Sequence, residues 1–443
     1  MNRAATRVLE AVRSADWVRR VGRVTRFVGL TVESRGPDAQ LGELCTIFPG
    51  GGGPPTTAEV VGFSGSQLLL MPYEDPAGIR IGSEVVATGR SAQVLAGEHL
   101  LGRVIDGFGA PLDEGALPSI GKACAIYPPP INPLQRGLVV DVLETGIRAV
   151  DTLLTIARGQ RVGIFAGSGV GKSTVLGMIA REAKADISVI ALVGERGREV
   201  RSFVENGLSP AARAKSVVVA ATSDQPPLVR RRAAFLATAI AEYFRDRGQH
   251  VCLTMDSVTR VAMAQREIGL AGGELPTSRG YTPSVFALLP RLLERGGVRA
   301  QGGSLTALYT VLVEGDDLED PISDSVRSIL DGHIVLARKI AQRGRYPAVD
   351  VTQSVSRLAA SIVPEAENKL ISDVTKLLAT YETSRDLIEV GAYKAGTHSE
   401  IDRAIRLTPL IEQFLAQKPA EVERRGVAMQ RLKRLLEEPA RPA

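Results

Sequence analysis

The sequence predicts an α/β protein in which a mostly parallel sheet flanked by helices follows a small β-barrel and precedes a helical domain. Three observations predict this arrangement. Short β-type runs separated by Gly and Pro fill residues 21–90, strands alternate with helical segments over residues 91–360, and strand signals vanish over residues 361–443. A chain of 443 residues is also too long for one hydrophobic core, so several domains are expected.

The predicted barrel consists of four short β-type runs. They are separated by turn residues, above all by the glycines and prolines of Gly50–Pro55, and they end near Gly89. Short strands at this spacing are typical of a small antiparallel barrel. The four runs are GRVTRFVGLTVES, TAEVVGFSG, QLLLMPY and SEVVATG.

Residues 1–20 precede the barrel and predict a short amphipathic helix. Val8, Leu9 and Val12 fall near one helical face, and five arginines supply charge. Two interpretations of this segment stay open. The helix either packs on its own domain or frays as a chain end, or it contacts a partner protein or a membrane.

The central region carries the pattern of a parallel sheet. Its continuous apolar runs are typical of strands that are buried on both faces, and segments such as Val200–Leu208 and Leu228–Arg247 have helical periodicity. Farther on, Glu365–Tyr381 and Glu400–Leu415 predict the helices of the C-terminal domain. The five candidate strands are RVGIFAG, ISVIALVG, SVVVAAT, HVCLTMD and LTALYTVLV.

The composition excludes several classes of protein. Three widely spaced cysteines without a CxxC pair exclude a disulfide framework and a zinc site of the usual spacing. No apolar run approaches the ~20 residues of a membrane span, and the N-terminus lacks the apolar region of a secretory signal, so we expect a cytoplasmic protein. The net charge of +5 is spread along the chain and fits nucleotide chemistry, although nucleic-acid and membrane binding also favour a basic balance.

The stretch AGSGVGKST between a predicted strand and a predicted helix indicates a phosphate-binding loop (P-loop) for ATP. Its glycines allow backbone N–H groups to turn toward phosphate oxygens, and the helix that follows presents its positive N-terminus to the same anion. The Lys172 ammonium would reach the β- and γ-phosphates. The candidate nucleotide-binding residues are Ala166, Gly167, Ser168, Gly169, Val170, Gly171, Lys172, Ser173 and Thr174.

One position departs from the usual pattern. The first residue is Ala166 where the pattern has Gly. A methyl group is the smallest possible intrusion, so we expect the loop to bind phosphate all the same.

Two residues are candidate Mg²⁺ ligands. The Ser173 hydroxyl follows the P-loop lysine, and Asp256 ends the predicted strand HVCLTMD, as a Walker B carboxylate does. A lone aspartate at a strand end also occurs as a helix cap, but the loop makes the metal role the stronger interpretation. The sequence therefore predicts an Mg²⁺-dependent ATPase.

Glu195 is the candidate for the residue that activates water. It follows the strand ISVIALVG directly, at the sheet edge that is predicted to carry the phosphate loop, where a carboxylate can polarise an attacking water. Glutamate also forms surface salt bridges, and only the position of Glu195 on the strand after the loop's helix favours the catalytic interpretation.

The combination AGSGVGKST, GERGREV, TMDSVTR and PAVDVTQSVSR resembles the hexameric ATPases related to the subunits of rotary ATP synthases. The resemblance covers roughly residues 21–415. Within that superfamily, the stretches around residues 255–295 and 310–339 resemble the ATPases of type III protein export, most closely those of the flagellar branch. The resemblance implies a RecA-like P-loop ATPase core at residues 91–360, between the barrel and the C-terminal helical domain.

The resemblance also implies roles for particular side chains. It implies that Glu195 is the general base and that Lys172 and Arg196 lie near the phosphates. It further implies that Arg260 lies beside the γ-phosphate. Tyr346, in RYPAVD, matches the position that packs against adenine, although a core aromatic is the other interpretation.

Arg357, in SVSRL, matches the arginine that reaches into a neighbouring subunit's site. Such an arginine stabilises charge on the transferring phosphoryl group, and a structural ion pair is the other interpretation. Together with Glu195, this residue supplies what a homo-oligomer with shared sites needs.

As a whole, the resemblance implies a homohexamer that hydrolyses ATP to drive type III export, with active sites at the subunit interfaces. The partners implied are a regulator or stator protein at residues 1–20, export chaperones and their substrates, and an export gate at the membrane. The protein would be cytoplasmic and peripherally associated with the inner-membrane export apparatus.

Four other functions are alternatives to an ATPase of flagellar type III export. A rotary catalytic subunit carries an acidic C-terminal loop that LLATYETSRDLIEVGAYKAG lacks, and a noncatalytic subunit usually lacks the carboxylate at Glu195. A hexameric nucleic-acid motor would need aromatics for base stacking, and the barrel offers few, so no nucleic acid is expected as a partner. The ATPase of a virulence or symbiosis injectisome stays open, because it shares the catalytic residues. The barrel's main aromatics are Phe27, Phe48, Phe63 and Tyr73.

Overall fold

The computed structural model of the protein describes residues 20–118 and 120–437. The helix predicted over residues 1–20 therefore lies, except for Arg20, outside the described residues. The described chain forms two compact units. One contains the residues up to Ala92 together with Glu267–Leu275, and the other contains Gln93–Arg266 and the residues from Pro276 onward.

The first unit contains a closed six-stranded barrel, as the sequence predicts. Its strands pair antiparallel in the order β1-β2-β5-β4-β3-β6 and enclose a core of alternating apolar residues such as Val32, Ile47 and Leu70. The run GRVTRFVGLTVES forms two strands, because the chain turns at Gly29 with a φ of 58°. The strands are β1 (Val21–Val28), β2 (Thr31–Arg35), β3 (Glu43–Phe48), β4 (Thr56–Ser64), β5 (Gln67–Pro72) and β6 (Glu84–Ser91).

The second unit is organised around a nine-stranded sheet with the order β19-β18-β12-β17-β15-β13-β14-β8, in which β16 pairs with β17. All its pairs are parallel except β18–β19 and β16–β17. The strands of this unit, including the four that lie outside the nine-stranded sheet (β7, β9, β10 and β11), are β7 (Gln93–Ala96), β8 (Val104–Ile105), β9 (Lys122–Ala125), β10 (Val142–Leu143), β11 (Ile156–Ala157), β12 (Arg161–Ala166), β13 (Ile187–Val193), β14 (Ser216–Ala221), β15 (His250–Asp256), β16 (Gly297–Val298), β17 (Ser304–Leu312), β18 (Gly332–Leu336) and β19 (Val349–Ser356).

Helices connect these strands and continue beyond the last one. The segment predicted as the helix Val200–Leu208 is instead a short α-helix followed by a π-helical turn, Phe203–Gly207. No helix of the described residues is long and apolar enough to cross a membrane. The helices are α1 (Arg148–Leu153), α2 (Lys172–Glu182), α3 (Gly197–Ser202), α4 (Pro210–Ala214), α5 (Pro227–Arg245), α6 (Val258–Ala271), α7 (Pro283–Leu293), α8 (Pro321–Ile329), α9 (Arg338–Gln342), α10 (Ala359–Ile362), α11 (Glu365–Glu389), α12 (Ser399–Leu415) and α13 (Arg425–Glu437).

The sheet and the C-terminal helices share one hydrophobic core. Val162 and Ile164 of β12 belong to the same buried cluster as Leu377 of α11 and Leu407 and Ile411 of α12. Burial of this apolar surface is the main force that holds the helices on the sheet. The predicted sheet core and helical C-terminal region are both present, and the exact domain boundaries at residues 20, 90 and 360 remain predictions.

Arg148 in α1 fastens the segment that follows α12. Its buried guanidinium contacts the carboxylates of Glu421 and Glu423, the latter at 2.5 Å, and donates to the carbonyls of Phe414 and Ala416 at 2.6 and 2.9 Å. A buried cation with this many acceptors is costly to remove, because the carbonyls of Phe414 and Ala416 and the largely buried Glu423 carboxylate then lose a donor.

We predict that Arg148→Met lowers the free energy of unfolding by about 3–5 kcal/mol, the usual cost of breaking a buried ion pair from one side. Urea titration followed by circular dichroism would measure the change. Arg406→Met, at an exposed arginine of α12, is the control and should stay within about 0.5 kcal/mol of the unsubstituted chain. Equal effects from the two substitutions would contradict this account of Arg148.

Candidate active site

The parallel sheet brings three candidate side chains to one edge, which is the edge formed by the carboxyl ends of its parallel strands. The strands β12, β15 and β13 run in the same direction, and their carboxyl ends are followed by the phosphate loop, carry Asp256 and precede Glu195, respectively. Asp256 pairs in register with Leu192, three residues before Glu195. Because ligands of such sheets bind outside the carboxyl ends of the strands, this edge is the candidate active site.

The phosphate loop has the backbone that an anion cradle needs. Gly169 and Gly171 have φ angles of 80° and 90°, which a residue with a Cβ rarely adopts. The helix α2 begins at Lys172, and within the described residues no side chain caps its N-terminus. Its first N–H groups are therefore available to a phosphate.

Ala166, the departure from the usual loop pattern, lies outside the cradle itself. It is the last residue of β12, is buried in the hydrophobic core, and its carbonyl accepts a hydrogen bond from the N–H of Val313 at 3.0 Å. Its methyl group therefore adds apolar packing and does not enter the loop.

Lys172 lies between two carboxylates. Its ammonium pairs with Asp256 and also contacts Oε1 of Glu195 at 3.4 Å. Asp256 Oδ1 accepts a further hydrogen bond of 2.7 Å from the hydroxyl of Thr310 on the neighbouring strand β17. The lysine is thus held at the phosphate loop by the same two carboxylates that are the candidates for the metal and water roles.

The environment of Glu195 raises the pKa of its carboxyl to about 7. Burial is the largest cause, and a hydrogen bond that the protonated Glu195 donates to the Glu199 carboxylate and the negative charges of Asp256 and Glu199 add to it, while the Lys172 ammonium lowers the pKa. A carboxylate with a pKa near neutrality is a suitable general base, because it can both accept and release a proton at physiological pH.

The candidate metal ligands line one cavity. Ser173, Glu195 and Asp256 all contribute to a cavity of about 330 Å³ beside the phosphate loop. In the described part of the chain no group of three or more His, Cys, Asp or Glu residues is placed to hold a metal. Mg²⁺ needs no such group, since it is commonly held by one or two protein oxygens together with phosphate oxygens and water. The hydroxyl and carboxylate present therefore fit Mg²⁺ bound with a nucleotide.

Arg260 packs against the turn before Glu195. A Cβ built on Gly194 would lie 2.8–3.2 Å from the Cβ, Cγ and Cδ atoms of Arg260, so only glycine allows this approach. The buried Nε of Arg260 has no hydrogen-bond partner among the described residues. An unsatisfied buried donor is costly, and a phosphate oxygen would satisfy it.

Two further candidates lie at the rim of the site. The Tyr346 ring lies against the phosphate loop, 3.4 Å from the position of a Cβ built on Gly171, and the residue is 46% exposed. Arg196 is more exposed still, and its guanidinium lies 3.9 Å from Glu199. The roles of Tyr346 at the adenine and of Arg196 at the phosphates stay predictions.

Arg357 lies at the opposite edge of the sheet from the phosphate loop. The strand β19 runs antiparallel to β18, and its last residue, Ser356, pairs with Gly332 at the beginning of β18. Because β18 is parallel to β12, Arg357 lies at the amino edge, about 20 Å from the loop, since six rises of about 3.3 Å separate the two levels. The structure therefore does not bring Arg357 into the site formed by its own chain.

Two residues of this site are not predicted from the sequence. Glu199 follows Glu195 by four residues in GERGREV, and this spacing on a helical turn could have indicated a carboxyl pair. Thr310 gives no local signal, because its contact with Asp256 depends on β17 being inserted between β12 and β15.

The fold and this edge define the class of the protein as a P-loop enzyme that hydrolyses a nucleotide. Three family models match the chain: the ATP synthase alpha/beta family beta-barrel domain at residues 24–89, the nucleotide-binding domain of the same family at residues 146–356, and the T3SS EscN ATPase C-terminal domain at residues 363–434. Together they cover the barrel, the sheet and the C-terminal helices.

Known proteins match over nearly the whole length. The chain is 53% identical to the flagellum-specific ATP synthase of Bacillus subtilis over 420 residues, 94% of this chain and 96% of that protein. It is 47% identical to the SPI-2 type 3 secretion system ATPase of Salmonella typhimurium over 420 residues, 95% of each chain. The structure of the assembled ATPase EscN from the enteropathogenic E. coli type III secretion system matches with a TM-score of 0.89 at 42% identity, over 94% of this chain and 100% of that chain.

The chain therefore belongs to the ATP synthase alpha/beta family, within the group of flagellum-specific ATP synthases and type III secretion ATPases. This membership confirms the predicted fold class and the prediction of an ATP-hydrolysing enzyme of that group.

We predict that kcat/KM for ATP, measured with Mg²⁺ in excess, falls as the pH drops below about 7, because protonated Glu195 cannot accept a proton from water. Glu199→Gln removes a charge that raises the pKa of Glu195, so the acid limb should move to lower pH. A pH–rate profile of the two proteins would show the shift.

Glu205→Gln is the matched control, since Glu205 pairs with Arg201 on the surface and makes the same change of charge. Its acid limb should coincide with that of the unsubstituted enzyme. A Glu199→Gln profile that also coincided with it would disprove the role of Glu199.

Proposed function

We propose that this chain is the ATPase of a flagellar type III export system and that its active site is completed only between neighbouring subunits. The observation that carries the proposal is the placement of Glu195 and Arg357 at opposite edges of one parallel sheet. In a ring, the amino ends of the strands in one subunit can face the carboxyl ends of the strands in the next. This arrangement brings Arg357 of one subunit to Glu195 of its neighbour.

Within a subunit, the phosphate loop and Lys172 bind the phosphates of ATP. Ser173 and Asp256 would hold Mg²⁺, whose charge would stabilise the negative charge of the phosphates. The phosphates compete with Asp256 and Glu195 for the Lys172 ammonium, which contacts both carboxylates.

Glu195 then orients a water molecule toward the γ-phosphorus and accepts its proton. Arg260, with a buried donor that has no partner among the described residues, supplies a hydrogen bond to a γ-phosphate oxygen. Tyr346 packs against the adenine from the far side of the loop. Arg196 extends toward the phosphates from the turn after Glu195.

The neighbouring subunit supplies Arg357. Its side chain is exposed, and among the described residues no carboxylate lies within 4.0 Å of its guanidinium, so no internal ion pair competes for it. An arginine brought to the transferring phosphoryl group from a neighbour raises kcat by roughly 10³–10⁵-fold in other phosphoryl-transfer enzymes.

The matching structures support an assembled ATPase with a central partner. One describes EscN as an assembled ATPase, and a second describes EscN in complex with its central stalk EscO, with a TM-score of 0.85 and 42% identity. We infer a homohexamer here, with a regulator or stator protein at residues 1–20 and export chaperones, substrates and a membrane export gate as further partners. The protein would be cytoplasmic and peripherally associated with the inner membrane.

Export is favoured over ATP synthesis by the C-terminal helices, which match the C-terminal domain model of the EscN ATPases. The flagellar branch is favoured over the injectisome branch by identity, since flagellum-specific relatives reach 53% and the type 3 secretion system ATPase of Xanthomonas euvesicatoria reaches 48%.

Complementation between two inactive variants tests the shared site. Glu195→Gln should lower kcat by roughly 10²–10⁴-fold and Arg357→Ala by a similar or larger factor, while both bind ATP normally. In an equimolar mixture, an Arg357→Ala subunit keeps its general base, Glu195, and receives an intact Arg357 from a Glu195→Gln neighbour. About one site in four should then be complete in a randomly mixed ring, and hydrolysis should return.

The control is the double variant Glu195→Gln/Arg357→Ala mixed with either single variant, which can form no complete site. A mixture of the two single variants that stayed as inactive as this control would contradict a site shared between subunits. ATP binding that was lost together with hydrolysis in Arg357→Ala would indicate a folding role for that arginine.

A further inference from the structure

Gln160 is a fully buried amide at the beginning of the strand that leads to the phosphate loop. Its Oε1 accepts a hydrogen bond of 2.8 Å from the N–H of Ala157. Its Nε2 donates to the carbonyl of Asp331 and to the hydroxyl of Ser356, both at 3.1 Å. Both N–H groups and the carbonyl oxygen of this side chain thus form hydrogen bonds, with three neighbouring segments at this edge of the sheet.

The two acceptors of Gln160 Nε2 are the two points that hold the backbone of Arg357. The carbonyl of Asp331 also accepts a hydrogen bond of 3.0 Å from the N–H of Arg357, and Ser356 is the residue directly before it. The Ser356 hydroxyl in turn donates to the carbonyl of Thr155 at 2.8 Å. One buried amide, directly before β12, therefore binds both the acceptor of the Arg357 N–H and the side chain of the residue before Arg357.

A second set of contacts keeps the Asp331 carbonyl in place. The Asp331 carboxylate accepts hydrogen bonds from Nε and Nη2 of Arg161 at 2.9 and 2.8 Å and from its N–H at 3.0 Å. The N–H of Asp331 donates to the carbonyl of Arg161 at 2.9 Å. The segment before β18 is thus held to the first residue of β12 by its main chain and its side chain.

Little else holds Arg357 within its own chain. Its side chain is exposed, and its hydrogen bond to the carbonyl of Arg327 is long, at 3.4 Å. The direction in which the guanidinium projects is therefore set by the backbone attachments at Asp331 and Ser356, and so by Gln160.

We propose that Gln160 is a positioning residue that holds Arg357 for action in the neighbouring subunit's site. This inference rests on the proposed function, in which Arg357 acts across the interface. It also identifies β12 as the connection between two active sites. The phosphate loop of the subunit's own site follows Ala166 at one end of the strand. At the other end, Gln160 holds Arg357, which acts in the neighbouring subunit's site.

The test is complementation by Gln160→Met, which keeps the volume of the side chain and removes its donors and acceptor. The variant should lose about 10–100-fold in kcat, as a misplaced catalytic group does, with KM for ATP changed less than about twofold. When the Gln160→Met variant is mixed with Glu195→Gln subunits, in which Arg357 is held normally, the mixture should regain hydrolysis. Gln160→Met/Arg357→Ala should be no slower than Arg357→Ala alone.

Thr306→Val is the matched control. Thr306 accepts a hydrogen bond from the N–H of Gly159 at 2.8 Å, beside Gln160, and touches neither Asp331 nor Ser356. It should hydrolyse ATP at the unsubstituted rate. If Gln160→Met does not fold, Ser356→Ala removes one of the two acceptors and should give a smaller loss of the same kind, also restored by Glu195→Gln.

Three results would overturn the inference. Hydrolysis by Gln160→Met at the unsubstituted rate would show that the amide positions nothing. A mixture with Glu195→Gln that stayed inactive, while Arg357→Ala with Glu195→Gln recovered, would show that Gln160 acts on its own subunit's site and leave the proposed function standing. Failure of both mixtures would refute this inference together with the shared site.

Discussion

The contact of one ammonium with two carboxylates organises the active site. Lys172 begins the helix after the phosphate loop, and Asp256 and Glu195 follow from two other strands, so the three groups meet only because β12, β15 and β13 are parallel. The lysine neutralises part of the negative charge that burial would otherwise make costly. In the proposed mechanism, the phosphates of ATP become the partners of Lys172, and the two carboxylates serve the metal and the water.

In the proposed mechanism, the same sheet makes a single chain insufficient for catalysis. A parallel strand has one end at each edge of the sheet, and the phosphate loop and Arg357 follow opposite ends. No movement of a side chain crosses the length of β12, which is about 17 Å. Assembly into a ring with one edge facing the next is the arrangement in which a homo-oligomer can use both ends, and such head-to-tail contacts close when the rotation between subunits permits it.

The local parts of the site were predictable from the sequence, because their signals are local. The loop Ala166–Thr174 is recognised by its glycines, and Asp256 and Glu195 by their positions at the ends of apolar runs. The structure adds what depends on strand order. Thr310 reaches Asp256 only because β17 lies between β12 and β15, and Gln160 reaches Ser356 across 196 residues of chain. The helix Arg425–Glu437 lies within residues 361–443, which the sequence predicts as helical, and its apolar residues Ala428, Leu432 and Leu435 recur at helical spacing.

The most direct test of a site completed between subunits is the dependence of specific activity on protein concentration. ATP hydrolysis per milligram would be measured over a dilution series, with mass photometry reporting the fraction of chains in rings. We predict that specific activity rises with this fraction and approaches zero where single chains dominate. Specific activity that stayed constant through the range in which the rings dissociate would contradict the account.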